Sequence, residues 1–152
     1  MQRLTTSTLW LALGLLLVSR VAASLERPES TQPAQNYVLF CAGCHGLNAK
    51  GVPHKVPALT KTLPLFVSSE EGRDFLLRVP GVANSALSDQ GLAAVLNWLI
   101  ATLDTPTPGW TAFVAEDVHR ARQTPLMSVT QSRRQIISHL PLSKQIGDAV
   151  NY

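Results

Sequence analysis

Apolar residues recur along this chain at helical spacing in some segments, and Pro and Gly break the pattern in others. The first apolar run covers residues 9–18 without interruption, which is short of the roughly 20 residues a bilayer span needs. Residues 34–44 predict a helix with Tyr37, Val38, Phe40 and Cys41 on its apolar face. The pattern then dissolves over residues 45–67, where Gly46, Gly51, Pro53, Pro57 and Pro64 predict a loop longer than packing alone favours, of the kind that encloses something. Ser68 followed by Glu71 reads as a capping box for a short helix over residues 70–78, with Phe75, Leu76 and Val79 facing inward. Pro80 and Gly81 end it, and residues 82–87 form a second loop before Ser88, a good N-cap with Asp89 in the first turn. Leu92, Val95, Leu96, Leu99 and Leu103 then give the strongest helical stripe in the chain, widened by Trp98 and Ile100. A Thr-Pro-Thr-Pro-Gly linker at residues 105–109 precedes two further predicted helices, over residues 115–123 and 128–140.

No strand–helix–strand pattern interrupts this order, so the expected class is all-α. The 152 residues, 45% hydrophobic and 15% charged, fit one domain and shorter appendages, and ten prolines imply long irregular stretches. The 13 basic residues exceed the 10 acidic ones, but Arg3 and Arg20 lie in the amino-terminal segment, and from Ser24 onward the balance is eleven to ten. No dense basic run with interleaved aromatics exists, which sets nucleic acid aside as a partner. Arg120, Arg122, Arg133 and Arg134 make the tail locally basic, either as a solvated face or as a dock for an acidic partner.

Arg3, the apolar run and Val21-Ala22-Ala23 before Ser24 have the layout of an export signal cleaved after Ala23. The expected organisation is a signal peptide at 1–23, a flexible leader at 24–33, a domain at 34–103, and a Pro-rich linker with a helical extension at 104–152. The absence of a cysteine beside the cut excludes a lipoprotein anchor. The expected destination is the periplasm, with no membrane span once the signal is removed.

Cys41-Ala42-Gly43-Cys44-His45 carries the chemistry. In the spacing Cys-x-x-Cys-His, two thiols one helical turn apart can add to the two vinyl groups of a haem while the adjacent imidazole reaches the iron. A thioredoxin-like dithiol uses the same cysteine spacing but needs a parallel sheet. A zinc site from Cys41, Cys44, His45 and His54 lacks a second cysteine pair. A plain disulfide between the two cysteines is the remaining alternative.

The segment resembles c-type cytochromes of the small class I type, over about residues 34–103. Pro57-Ala58-Leu59, twelve residues after His45, is similar to that family's Pro-x-Leu loop. The resemblance implies one covalently attached haem c, held at Cys41, Cys44, His45, Pro57 and Leu59. In it His45 is the axial iron ligand, and the Pro57 carbonyl orients His45 and raises its basicity. It also implies that the helix starting at Leu87-Ser88-Asp89 crosses the first helix, bringing Tyr37 and Phe40 to Leu96, Trp98 or Leu99. Val52, Val56, Ala58 and Leu59 would help cover the haem, with Val82 on its distal wall. The tail resembles extensions of unassigned role in some proteobacterial cytochromes.

One departure bears on function. Where the family has a methionine as sixth ligand, residues 78–86 contain neither Met nor His. The alternatives are Met127, His54, His119, His139 or an open iron. Because the sequence offers haem attachment and no further catalytic set, the leading expectation is an electron carrier, not an enzyme, working between redox proteins such as a dehydrogenase and a terminal oxidase or reductase. The alternatives are a haem protein binding or reducing peroxide, nitric oxide or oxygen, with Asn84, His54 or His119 as a polar group over the iron, and an accessory subunit docked on a dehydrogenase through its tail.

Overall fold

The computed structural model describes residues 32–103 and 109–139. The expected signal peptide, most of the leader, the linker core and the last thirteen residues lie outside them. Among the described residues there are eight helices and no strand; the only β-type pairing is a bridge between Val52 and Val56.

Helix α1 (Pro33–Phe40) opens with Pro33 in its first turn, where a missing N–H costs nothing. It is shorter than expected. Cys41, at φ −124° and ψ −39°, breaks the helix, and a single turn, α2 (Ala42–His45), follows.

The expected long loop ends early, because residues 59–66 fold as helix α3 (Leu59–Phe66) despite an internal Pro64. Residues 62–67 are all buried, and this burial outweighs the hydrogen bond that Pro64 cannot donate. Helix α4 (Glu70–Arg78) is capped by Ser69, whose Oγ accepts from the Gly72 amide at 3.0 Å. Ser68, the expected cap, instead donates to the Leu65 carbonyl at 2.6 Å. The two helices meet closely: the Phe66 and Phe75 rings stack at 4.9 Å, and a Cβ at Gly72 would fall 2.1 Å from the Phe66 carbonyl oxygen.

Part of the expected second loop is the short helix α5 (Pro80–Ala83). Helix α6 (Asp89–Thr102) follows with Ser88 as its N-cap, accepting from Gly91 N at 3.0 Å. It crosses α1, with the Tyr37 and Trp98 rings 5.8 Å apart and tilted by 47°.

Helices α7 (Ala115–Arg122) and α8 (Val129–His139) belong to the extension. It is fastened to the rest of the protein. Phe113, Val118 and Ala121 are buried in the same apolar cluster as Leu92, Val95 and Leu99. Asn97 brackets Phe113, its Oδ1 accepting from Phe113 N at 2.8 Å and its Nδ2 donating to Phe113 O at 2.9 Å. Arg73 lies over the Phe113 ring, 4.2 Å from its centre, and donates to the Thr111 carbonyl. No described helix is long and apolar enough to cross a membrane.

Candidate functional site

The break at Cys41 and the turn after it set the geometry of the motif. The amide of Cys41 still donates to Tyr37 O at 2.9 Å, and the amide of His45 donates to Cys41 O at 3.1 Å. Cys41 and Cys44 are thus one turn apart. Both thiols are free; Cys41 is half-buried and Cys44 exposed. Burial, and then the neighbouring Cys44, push the Cys41 thiol above its ordinary pKa. That is the opposite of the depressed value an activated redox thiolate requires.

Gly46, at φ +75°, turns the chain away from His45. The Tyr37 hydroxyl donates to its carbonyl at 2.7 Å, tying the first helix to this turn. Burial is also the main cause that lifts the Tyr37 phenol above its usual pKa, with Cys41 adding to it. The loop beyond is closed by backbone bonds from Gly51 N to His45 O at 2.8 Å and from Leu59 N to Ala49 O at 2.8 Å. The Val52–Val56 bridge then returns the chain.

This closure places the Pro57 carbonyl oxygen 3.1 Å from His45 Nδ1. A carbonyl only accepts, so Nδ1 carries the hydrogen and Nε2 keeps its lone pair. Burial pushes the half-buried His45 imidazole below its ordinary pKa, while the Pro57 hydrogen bond acts in the other direction. The ring is therefore neutral near pH 7, with its lone pair on Nε2.

Gly51 makes the contact possible, and sequence reading marked it only as a loop breaker. At φ +63°, its Cβ would lie 2.2 Å from Val56 O and 2.6 Å from Pro57 O. The available signal was a glycine in a short loop whose ends must meet. The anchoring role of Tyr37 was likewise not marked.

Leu59, Val56, Pro57 and Ala58 are half-buried along the returning limb of the loop, whereas Val52 is 43% exposed. Phe40, Cys41, Leu59, Val79 and Val82 form a half-buried apolar fringe on the core. The expected distal candidates are all surface groups. Met127 is 97% exposed; His54 is exposed at φ +57° in the turn before Val56. The exposed His119 sets Nδ1 3.1 Å from Asp89 Oδ2, and His139 and Asn84 are exposed too. Among the described residues no cluster of three or more His, Cys, Asp or Glu side chains could hold a metal ion by itself.

No family model matches this sequence, and neither the curated proteins nor the solved structures contain a match to it.

Proposed function

We propose that this chain is a mono-haem c-type cytochrome, exported to the periplasm, that carries single electrons between redox proteins. The observation that supports it most is the 3.1 Å contact between His45 Nδ1 and Pro57 O, at the residue directly after two free thiols one turn apart. The donor set fits the group. Each thiol can form a thioether by adding its S–H across a vinyl group, with no oxidant consumed, and the imidazole offers Nε2 to the iron. The half-buried fringe of Phe40, Leu59, Val79 and Val82 supplies apolar surface for a porphyrin. When bound, the haem would supply a one-electron redox centre; the protein's part is to hold it, orient His45 and limit water around it.

The lack of a Met or His in residues 78–86, where the resemblance puts the sixth ligand, favours a second reading, in which the side of the iron opposite His45 takes a small molecule such as nitric oxide, oxygen or peroxide.

Visible spectra of protein made in a host with c-type haem maturation test both. A pyridine haemochrome with both vinyl groups saturated, lost in Cys41→Ser/Cys44→Ser, is the expected result, and no haemochrome would overturn the cytochrome reading. Low-spin iron inert to carbon monoxide supports the carrier; high-spin iron that binds it readily supports the small-molecule reading.

A further inference from the structure

His45 is held from several sides by backbone. Its amide donates to Cys41 O at 3.1 Å, its carbonyl accepts from Gly51 N at 2.8 Å, and its ring Nδ1 lies 3.1 Å from Pro57 O. These three contacts lie within residues 41–57, so they fix the imidazole relative to its own loop. The Tyr37 hydroxyl reaches in from α1 instead, donating at 2.7 Å to the carbonyl of Gly46, the residue after His45. The Ala49 amide donates to the same oxygen at 3.2 Å.

Tyr37 is 2% exposed, and its ring packs against Trp98 where α1 crosses α6. A Phe would fill that space equally, and burying a hydroxyl is unfavourable unless it finds a partner. The hydroxyl therefore supplies something that packing does not require. Its effect falls on Gly46, at φ +75° and ψ 161°. Glycine is the least restricted residue, so at this joint the direction in which the chain leaves His45 depends on where the Gly46 carbonyl is held. That direction decides where the loop returns, and the return sets Pro57 O against Nδ1.

We infer that the Tyr37 hydroxyl is a positioning group for His45: by holding the Gly46 carbonyl it sets the path of the loop and, through Pro57, the donor strength of the imidazole. A hydrogen bond from Nδ1 to a carbonyl makes the opposite ring nitrogen a stronger donor. A stronger axial donor favours the oxidised metal, so losing the Tyr37 bond should raise the reduction potential. The redox consequence rests on the haem reading proposed above. The positioning of the ring does not, and it can be measured independently.

The test compares the parent, Tyr37→Phe and Ser88→Ala in the full haem-loaded chain. Ser88→Ala removes the hydrogen bond that caps α6, a loss of similar size about 15 Å along that helix from Trp98, and so controls for destabilisation alone. In Tyr37→Phe the potential should rise by about 30 mV, a threefold change in the oxidised-to-reduced ratio at 59 mV per tenfold. The His45 ring N–H, followed by NMR, should exchange with solvent about fivefold faster. Ser88→Ala should leave both unchanged at a comparable loss of urea midpoint. An unchanged or lowered potential in Tyr37→Phe, an unchanged exchange rate, or equal changes in Ser88→Ala would each overturn the inference. Failure of the haem reading shows separately, as the absence of a pyridine haemochrome. The ring is then read in the haem-free chain, where Tyr37→Phe should move the 15N tautomer balance toward Nε2–H and Ser88→Ala should not; a balance that Tyr37→Phe leaves in place overturns the positioning role.

Discussion

His45 Nδ1 and the Pro57 carbonyl oxygen lie 3.1 Å apart across a loop that joins residues twelve positions apart. The acceptor is backbone, so the orientation of the imidazole depends on the path of the loop and not on a side chain at position 57. Loop closure is consequently the property on which the site stands or falls, and Gly51, packed against the same carbonyl, is its most sensitive point.

Gly51→Ala should be far more damaging than Pro57→Ala, and should exceed Gly46→Ala by the steric overlap alone. Its Cβ would overlap two backbone carbonyl oxygens, at 2.2 and 2.6 Å, and backbone cannot rotate aside as a side chain can. A left-handed non-glycine residue alone costs about 1–2 kcal/mol, and the overlap adds to that. At Gly46 the nearest atom is Asn48 Oδ1, a side-chain atom 3.2 Å away that can give, but φ +75° and ψ 161° lie in a region essentially restricted to glycine, so Gly46→Ala carries a conformational cost of about 1–3 kcal/mol with little overlap. Pro57→Ala retains the carbonyl and should cost less than about 1 kcal/mol, through a looser unfolded chain. Denaturant melts rank the three, and the His45 tautomer read by 15N NMR should be lost only in Gly51→Ala.

Before haem attachment, the two thiols should differ in reactivity. Cys41 is half-buried with its pKa raised by burial and by Cys44, so at neutral pH less of it is thiolate, the species that reacts. Iodoacetamide should label Cys44 first, as read by mass spectrometry of brief pulses. Unfolding the chain in urea should bring the two rates together, and Cys41 reacting first in the folded protein would contradict the structure.

Tyr37→Phe should cost about 1 kcal/mol, the net value of a typical hydrogen bond, because it removes the 2.7 Å bond to Gly46 O. The pH dependence has a definite sign. Tyr37 ionises above its ordinary value near 10 in the folded protein, whereas the unfolded chain ionises at that value. Between the two, the folded state holds a proton that the unfolded state has released, so stability is full below about pH 10 and declines as pH rises through the folded pKa. Comparing urea midpoints at pH 8 and above pH 10 should show a smaller decline in Tyr37→Phe than in the parent.

The parts of the fold legible in sequence are those written by periodicity and caps. Helix α6 is the clearest, since Ser88, Asp89 and the leucine stripe each point to the same start and face. Its crossing with α1 at Tyr37 and Trp98 followed from the family resemblance. Helix α3 was hidden because Pro64 and a continuously buried run give no helical period, and the break at Cys41 because nothing in composition distinguishes a helix from a helix interrupted by one residue. The cap of α4 moved by one position, from Ser68 to Ser69, since adjacent serines offer equivalent caps. In the site, His45 and both cysteines were legible from spacing, and Pro57 only through resemblance. Gly51 was not, because its role depends on where the chain returns. The partners of the basic tail were not legible for a related reason: Arg122 and Arg120 find their carboxylates on a neighbouring helix or within their own, which a run of sequence charge does not display.

The extension should prove to be a structural part of the protein and not a detachable arm. Arg122 donates to Asp89 Oδ1 at 2.6 Å, to Ser85 O at 3.0 Å and to Leu87 O at 2.9 Å, tying α7 to the segment that leads into α6. Arg78 does the same further along, donating to Thr124 O at 2.6 Å and accepting from Leu126 N at 3.0 Å through its own carbonyl. Phe113 is 3% and Val118 1% exposed, and Phe→Ala truncations in a core cost about 3–5 kcal/mol. Phe113→Ala should therefore destabilise the protein by that order. Arg122→Ala, which leaves two carbonyls and a carboxylate without their donor, should cost about 1–3 kcal/mol. Removing the chain from residue 104 onward should uncover the face of α6 around Leu92 and Val95 and lower the melting temperature by more than either substitution. Thermal melts of the haem-loaded protein, with the visible spectrum recorded in parallel, check all three. A truncated chain as stable as the parent would make the extension an independent docking arm, whereas a destabilised chain with an unchanged spectrum would establish it as a brace that does not ligate the iron.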